Sequence, residues 1–327
     1  MVNVVAEMID RRRLRRRLSF WRIAAVVIAV VALLAVPLLL GYPQGLGDKP
    51  ADQIARVSIE GMILEDQKLL ELLGKLQDDD SVKAVVLRID SPGGTTVGGE
   101  SIYEAVRKIA VKKPVAAEVG TLAASAGYMI AAGADHIVAR RTSIVGSIGV
   151  IFQYVNAEKL LDTVGVEVNA IKSSPLKAEP SPFGPAPAGA EEMIRRLVMD
   201  TYGWFVGLVA ERRNIPLVDA RALADGSIFT GHQGLQRKLV DEIGGEDVVR
   251  RWLEEDKKIP VGLNFVDRKP EDTSYFSMFG SARALAYSFF GLDPRAGNIE
   301  SALMMKTGRL DGLVSLWQPF RSRTSVR

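Results

Sequence analysis

Residues 118–133 read EVGTLAASAGYMIAAG and place one hydroxyl, Ser125, at the start of an apolar helix pattern, directly after a strand-like run at 114–119. Small neighbours let a substrate backbone come close, and the outward amides of a helix start favour negative charge. A serine in that setting is a candidate nucleophile toward a carbonyl, with backbone N–H groups stabilising the oxyanion. The same serine also reads as a helix cap or as a small residue in a tight helix contact. A nucleophilic serine needs a base. The chain has no cysteine and two histidines, His136 and His232. His136 lies within a short apolar strand pattern and suits a structural role, and His232 in GHQG starts a helix. The elbow motif G-x-S-x-G is absent because position 123 is alanine. Lysine is the other base. A neutral amine requires its pKa to fall from about 10.4 toward 7, which only an apolar, dry setting achieves. Lys172 and Lys177 flank the start of SSPLKAEPSPFGPAPA (173–188), which has five prolines and no periodicity. Lys177 sits among Pro175, Leu176, Ala178 and Pro180.

The elements around these residues follow a rhythm. Strand patterns at 55–63, 82–89, 114–119, 135–139, 148–152 and 166–172 alternate with helix patterns at 66–76, 98–110, 126–133 and 157–163. Such alternation predicts a parallel α/β core, which binds ligands at the carboxyl ends of its strands. The turns DSPGG (90–94) and AAS (123–125) both fall at such ends, hence at one edge. Further on, helices are expected at 190–213 and 217–223, a turn with a short strand at 226–231, a helix through Glu254 and a strand at 261–266. Residues 274–291 carry aromatics at mixed spacing, and LVSLW (313–317) is a last apolar run.

The amino-terminal part reads differently. Residues 1–22 hold seven arginines against two acids, leaving 35 basic and 37 acidic residues elsewhere, a balance unsuited to nucleic acid. Residues 23–42 (IAAVVIAVVALLAVPLLLGY) carry no charge. At 1.5 Å per residue they span ~30 Å, one bilayer core. Six arginines precede Ser19, so the positive-inside rule puts the N-terminus in the cytoplasm and the rest of the chain across the membrane. LLLGYP suits signal cleavage poorly, which favours an uncleaved anchor. The expected organisation is a cytoplasmic segment (1–22), an anchor (23–42), a linker (43–54), a catalytic domain (55–260) and a C-terminal extension (261–327) for packing or oligomerisation.

VVLRIDSPGG (85–94), GTLAASAGYMIAAGADHIVA (120–139), TSIVGSIGVI (142–151), IKSSPLKAEPSP (171–182), TYGWFVGLVAERR (201–213) and DGSIFTGHQGLQRKLVDEIGG (225–245) occur in this order. The ordered set resembles the short-form bacterial signal peptide peptidases, the SppA family. The resemblance implies a ClpP/crotonase-like repeated β-β-α core and a Ser–Lys dyad peptidase. It puts the nucleophile at Ser125 and the general base at Lys177. Gly94, with Gly93 beside it, matches an oxyanion-hole donor, and the amide of Ala126 is a further candidate. Ser147 matches a hydroxyl that positions the lysine. The resemblance further implies ring-like homo-oligomers, a dyad made across neighbouring subunits, and remnant signal peptides or other apolar peptides as substrates. It implies no metal, nucleotide or other cofactor. Rival readings are a related Ser–Lys peptidase acting on membrane proteins, a crotonase-type acyl-CoA enzyme and a non-catalytic membrane scaffold.

Overall fold

The computed structural model describes residues 20–25, 27–28, 51–270 and 314–316. The chain divides into two compact units, Met1–Ala51 and Asp52–Arg327. In the first, residues 20–25 and 27–28 are helical. Most of the expected anchor, and the aromatic stretch 274–291, lie outside the described residues. Among the described residues no helix is long and apolar enough to cross a membrane.

The second unit is built on strands β1 (Gln53–Ile63), β2 (Val82–Thr95) and β3 (Val115–Ala124), mutually parallel in the order β1-β2-β3. Side chains alternate across the sheet. Val85, Leu87 and Ile89 face one apolar layer, and Ala84 and Val86 face the other. Burial on both faces explains why VKAVVLRI is almost continuously apolar. Helices α1 (Gln67–Asp78) and α2 (Thr96–Ala110) connect these strands. Each starts on a side-chain cap: Asp66 accepts from the amides of Lys68 and Leu69, and Thr95 accepts from Gly98. Helix α3 (Ala126–Gly133) follows β3, and all eight of its residues are buried.

Beyond α3 the outer edge of β3 receives two partners in succession. Strand β4 (His136–Ala139) pairs with residues 116–119, and β5 (Ile144–Gly146) pairs with residues 122–124. The chain continues through α4 (Glu158–Val164), α5 (Ala190–Arg212), α6 (Leu217–Leu223), β6 (Ile228–Thr230), α7 (Gly231–Gln236), β7 (Glu242–Ile243), α8 (Glu246–Arg251) and β8 (Asn264–Arg268). The expected helix through Glu254 ends as a π turn, Trp252–Asp256. Strand β8 adds to β1 in parallel, β6 adds to β5 antiparallel, and β7 adds to β4. A last strand, β9 (Val314–Leu316), pairs antiparallel with the end of β2.

Two expected strands do not form. Residues 148–152 hold only an isolated bridge at Ile151, because β5 ends at Gly146 and Ser147 turns away at φ 52°. Residues 166–172 are irregular and exposed, since no sheet edge in the described chain receives them. The stretch from 149 to 189 contains no buried residue, whereas Ile148 and Ala190 at its roots are fully buried. It is an arm standing off the core.

The end of α5 is locked to the sheet. Arg213 grips Asp241 through two bonds of 3.0 and 2.6 Å and donates to Lys238 O at 2.7 Å. Asp241 also accepts from the Ile137 amide of β4 at 2.8 Å. Arg212 donates to the carbonyls of Ala132 and Ala134 at the exit of α3, at 3.0 and 3.1 Å. Beneath this clasp Tyr128 donates to Leu239 O at 2.9 Å, and burial pushes its phenol pKa up. Asp241→Asn leaves the buried Arg213 guanidinium without its counter-charge. It is expected to cost about 2–3 kcal/mol in urea unfolding, the low side of a buried pair because Asp241 is partly exposed.

Candidate active site

Ser125 joins β3 to α3 at φ 59°, ψ −120°. A residue with a Cβ rarely occupies this region, and holding it there costs on the order of 1–3 kcal/mol. Neighbouring bonds over-determine the turn. The Ser125 amide donates to Gly146 O at 2.8 Å, and the Ser125 carbonyl accepts from Met129 N at 2.9 Å. The hydroxyl does not cap the helix it precedes. The capping role is thereby removed, and what stays is a buried alcohol on a strained strand-to-helix turn. That is the backbone design of a nucleophile elbow, reached without the G-x-S-x-G sequence. The small residues are sterically required here. A Cβ on Gly127 would lie 2.9 Å from Ser91 O, and one on Gly99 would lie 3.0 Å from Ala126 Cβ.

Register brings the candidate donors to the same edge. Ser91 on β2 pairs with Ala123, two residues before Ser125. Gly93 takes φ 106°, and its amide donates to Ser91 Oγ at 3.1 Å. Ser91 Oγ in turn donates to Gly61 O at 2.6 Å, fixing the Pro92-Gly93-Gly94 turn from beneath. Sequence reasoning passed over Ser91, although a serine before Pro-Gly-Gly is a turn signal in its own right. Gly94 meets β1 so closely that a Cβ would lie 1.8 Å from Ile63 O. Ala126 is the first residue of α3, so its amide has no acceptor within that helix.

Ser147 lies beside Ser125, since Ala124 pairs with Gly146 across the β3–β5 ladder. It too has positive φ, 52°, is 9% exposed and donates its amide to Ser227 O at 2.7 Å. Two strained serines thus stand on adjacent strand ends, a pairing that no local sequence signal carries.

The two lysines are placed differently. Lys172 is ion-paired with Glu179, and this hydrogen bond holds the Glu179 carboxyl below the ordinary carboxylate range. Lys177 is exposed on the arm, where its amide donates to Ser174 O at 3.2 Å. Neither histidine reaches the turn. His136 pairs with Ala116, roughly 30 Å along β3 from Ser125 at 3.3 Å per residue. Its ring stacks on Trp252 at 4.7 Å and meets Glu242 at 3.2 Å. His232 belongs to α7, beyond Thr230, which pairs with Ile144 at the far end of β5 from Gly146.

Sheet and turn together define an α/β protein with a mixed sheet around a parallel centre, holding a serine on a strained turn at the carboxyl edge of its parallel strands. Sequence comparison then fixes its kinship. Residues 107–260 match the profile of peptidase family S49. A protein of Synechocystis sp. named as a protease is 39% identical over 201 residues, 61% of this chain and 73% of its own. One of Methanocaldococcus jannaschii, also named as a protease, is 34% identical over 237 residues, covering 71% and 76%. An Enterococcus faecium protein named for signal peptide peptidase SppA is 33% identical over 241 residues, 69% of each chain. The chain belongs to peptidase family S49 and is a protease of the kind that includes SppA.

Proposed function

We propose that this protein is a membrane-anchored serine endopeptidase that cleaves remnant signal peptides or other apolar peptides on a ClpP/crotonase-like core. The observation that carries the reading is the Ser125 turn, strained at φ 59° and with a hydroxyl that does not cap its helix. In this scheme Ser125 attacks the peptide carbonyl and Lys177 accepts the hydroxyl proton. The tetrahedral oxyanion is held by the Gly94 amide together with that of Ala126. Gly94 is favoured over Gly93, whose N–H is already bonded to Ser91. Lys177 then protonates the leaving amine, and water resolves the acyl-enzyme. Ser147 orients the lysine amine beside Ser125. Residues 23–42 anchor the chain in the plasma membrane, with the N-terminus cytoplasmic and the peptidase unit outside.

The base comes from a neighbouring copy in a ring-like homo-oligomer. The arm that bears Lys177 has no buried residue and exposes Ile151, Val155, Leu160, Val164, Ile171 and Phe183. Apolar surface on that scale marks an interaction site, and a second copy covering it supplies the dry setting a lysine base requires.

Lys177→Ala is expected to lower kcat/KM for an apolar peptide by about 10³-fold or more. Lys172→Ala, which only frees Glu179, should leave it within a few-fold. Co-assembled Ser125→Ala and Lys177→Ala chains should recover part of the activity that each lacks alone. Full activity in Lys177→Ala would remove the dyad, and absence of recovery in mixed assemblies would place both groups in one chain.

A further inference from the structure

Strands β1, β2 and β3 fall out of step where they approach the Ser125 turn. From Ile89 opposite Val119 to Ser91 opposite Ala123, β2 advances two residues while β3 advances four. From Glu60 opposite Asp90 to Met62 opposite Gly93, β1 advances two residues while β2 advances three. Both irregularities fall on the dipeptide Asp90-Ser91. Bulges of this kind re-aim side chains next to active sites. The one in β3 decides where the serine stands. In even step Ala123 would meet Gly93, and Ser125 would lie level with Thr95. The bulge draws it back two residues, about 7 Å along β2, to the level of Gly93.

Neighbouring residues of a strand send their side chains to opposite faces, and these two each hold one bulge. Asp90 Oδ1 accepts the amide of Leu122 at 3.3 Å, within the extra length of β3. Its approach requires the glycine at 120, where a Cβ would lie 3.1 Å from Asp90 Oδ2. Gly120 O is tied in turn by Ser143 Oγ at 2.6 Å. Ser91 is fully buried and works on the other face. Its Oγ donates to the carbonyl of Gly61, which takes φ 69° at the β1 irregularity, and accepts the Gly93 amide. That second bond fixes the peptide plane next to the one that carries the Gly94 N–H.

We propose that Asp90 and Ser91 are a positioning pair for the reaction. Asp90, through Leu122, sets how far along β2 the nucleophile stands, and Ser91, through Gly61 and Gly93, sets the amide that faces it. The proposal rests on the Ser125 reading given above. It adds the two side chains that set the separation between the hydroxyl and the oxyanion donor. Neither is asked to touch the substrate, so their loss acts on the transition state and leaves ground-state binding alone. A misplacement of about 1 Å at such a site costs about 10²-fold in rate.

The test uses the full chain in detergent with a fluorogenic apolar peptide. Asp90→Ala and Ser91→Ala should each lower kcat by about 10²-fold while KM stays within about threefold. Asp90→Asn keeps an oxygen for the Leu122 amide and should return kcat to within a few-fold of the parent. A kcat within threefold of the parent in either alanine variant overturns the proposal, and so does a loss carried by KM. Asp90→Asn as slow as Asp90→Ala overturns it too, since the hydrogen bond is then not what acts. If Ser91→Ala does not fold, Ser91→Cys takes its place. The thiol weakens both bonds, so kcat should fall about tenfold, the worth of one ordinary hydrogen bond, and a parental kcat overturns the proposal. If the parent itself cleaves no peptide, the peptidase reading of Ser125 fails instead. Hydrogen exchange then decides the positioning. Faster exchange of 120–122 in Asp90→Ala and of 92–94 in Ser91→Ala supports it, and unchanged exchange in either overturns it.

Discussion

Ser125→Ala is expected to lower kcat/KM for peptide cleavage by at least about 10³-fold and as much as 10⁶-fold, the range seen when a nucleophile is removed from an acyl-transfer site. Folding should be untouched. Alanine keeps the Cβ, so the turn at φ 59° is no more strained than before. The amide and carbonyl that bond Gly146 and Met129 belong to the backbone and are retained. No helix cap is lost, because the hydroxyl does not serve as one. Thermal unfolding should therefore match the parent while turnover disappears. Ser125→Gly separates strain from chemistry further. It should also be inactive, yet more stable by about 1 kcal/mol, because glycine enters this region without a steric cost. Retained cleavage in either variant, measured with a fluorogenic apolar peptide, would remove Ser125 from the reaction.

Gly94→Ala should damage fold and activity together. Its Cβ would lie 1.8, 2.5 and 2.7 Å from the O, C and N atoms of Ile63, all main chain. A side chain could rotate away, but paired backbone cannot. The β1–β2 ladder must therefore open at its carboxyl end, where the candidate oxyanion donor sits. We expect a loss of about 3 kcal/mol or more in urea unfolding, at the upper end of overpacking costs, and a fall in kcat/KM of about 10²–10³-fold as the donor is displaced. Gly74→Ala is the contrast: a Cβ there meets nothing within 4 Å, in the interior of α1. It should be neutral or stabilising by up to about 1 kcal/mol. If Gly94→Ala matched it in stability and rate, close approach of β1 would not be what fixes the site.

Much of the central sheet could be read from residues alone, because β2 and β3 are buried on both faces and their apolar runs are nearly unbroken. The start of α1 was legible at Asp66, which caps it, whereas α2 begins at Thr96, ahead of the expected 98, on a Thr95 cap that the sequence reading did not use. The edge shared by Pro92-Gly93-Gly94 and Ser125 followed from strand order. The strain at Ser125 and Ser147 was not legible, since positive φ at a serine has no compositional mark and arises from bonds to Gly146 and Ser227. Residues 166–172 misled because Val166, Val168 and Ala170 alternate with polar residues like a strand, but alternation does not create an edge to pair with. The place of 314–316 was hidden for the opposite reason. Its pairing is a matter of register between distant segments, and a short apolar run says nothing about which edge it meets. The roles of Arg212 and Arg213 needed the structure too, since their acceptors, the carbonyls of Ala132, Ala134 and Lys238 and the carboxylate of Asp241, lie on other elements and not on the helix that carries the arginines.

The arm leaves the core after Ile148 and returns at Ala190, both fully buried, with nothing buried in between. Its two roots are fixed while everything outboard of them is free of the sheet's packing rules. Descendants of such a chain can lengthen, shorten or recompose this excursion without renegotiating the interior. New dietary preferences, or new ways of docking one copy on the next, then accumulate in a region whose errors the fold does not feel.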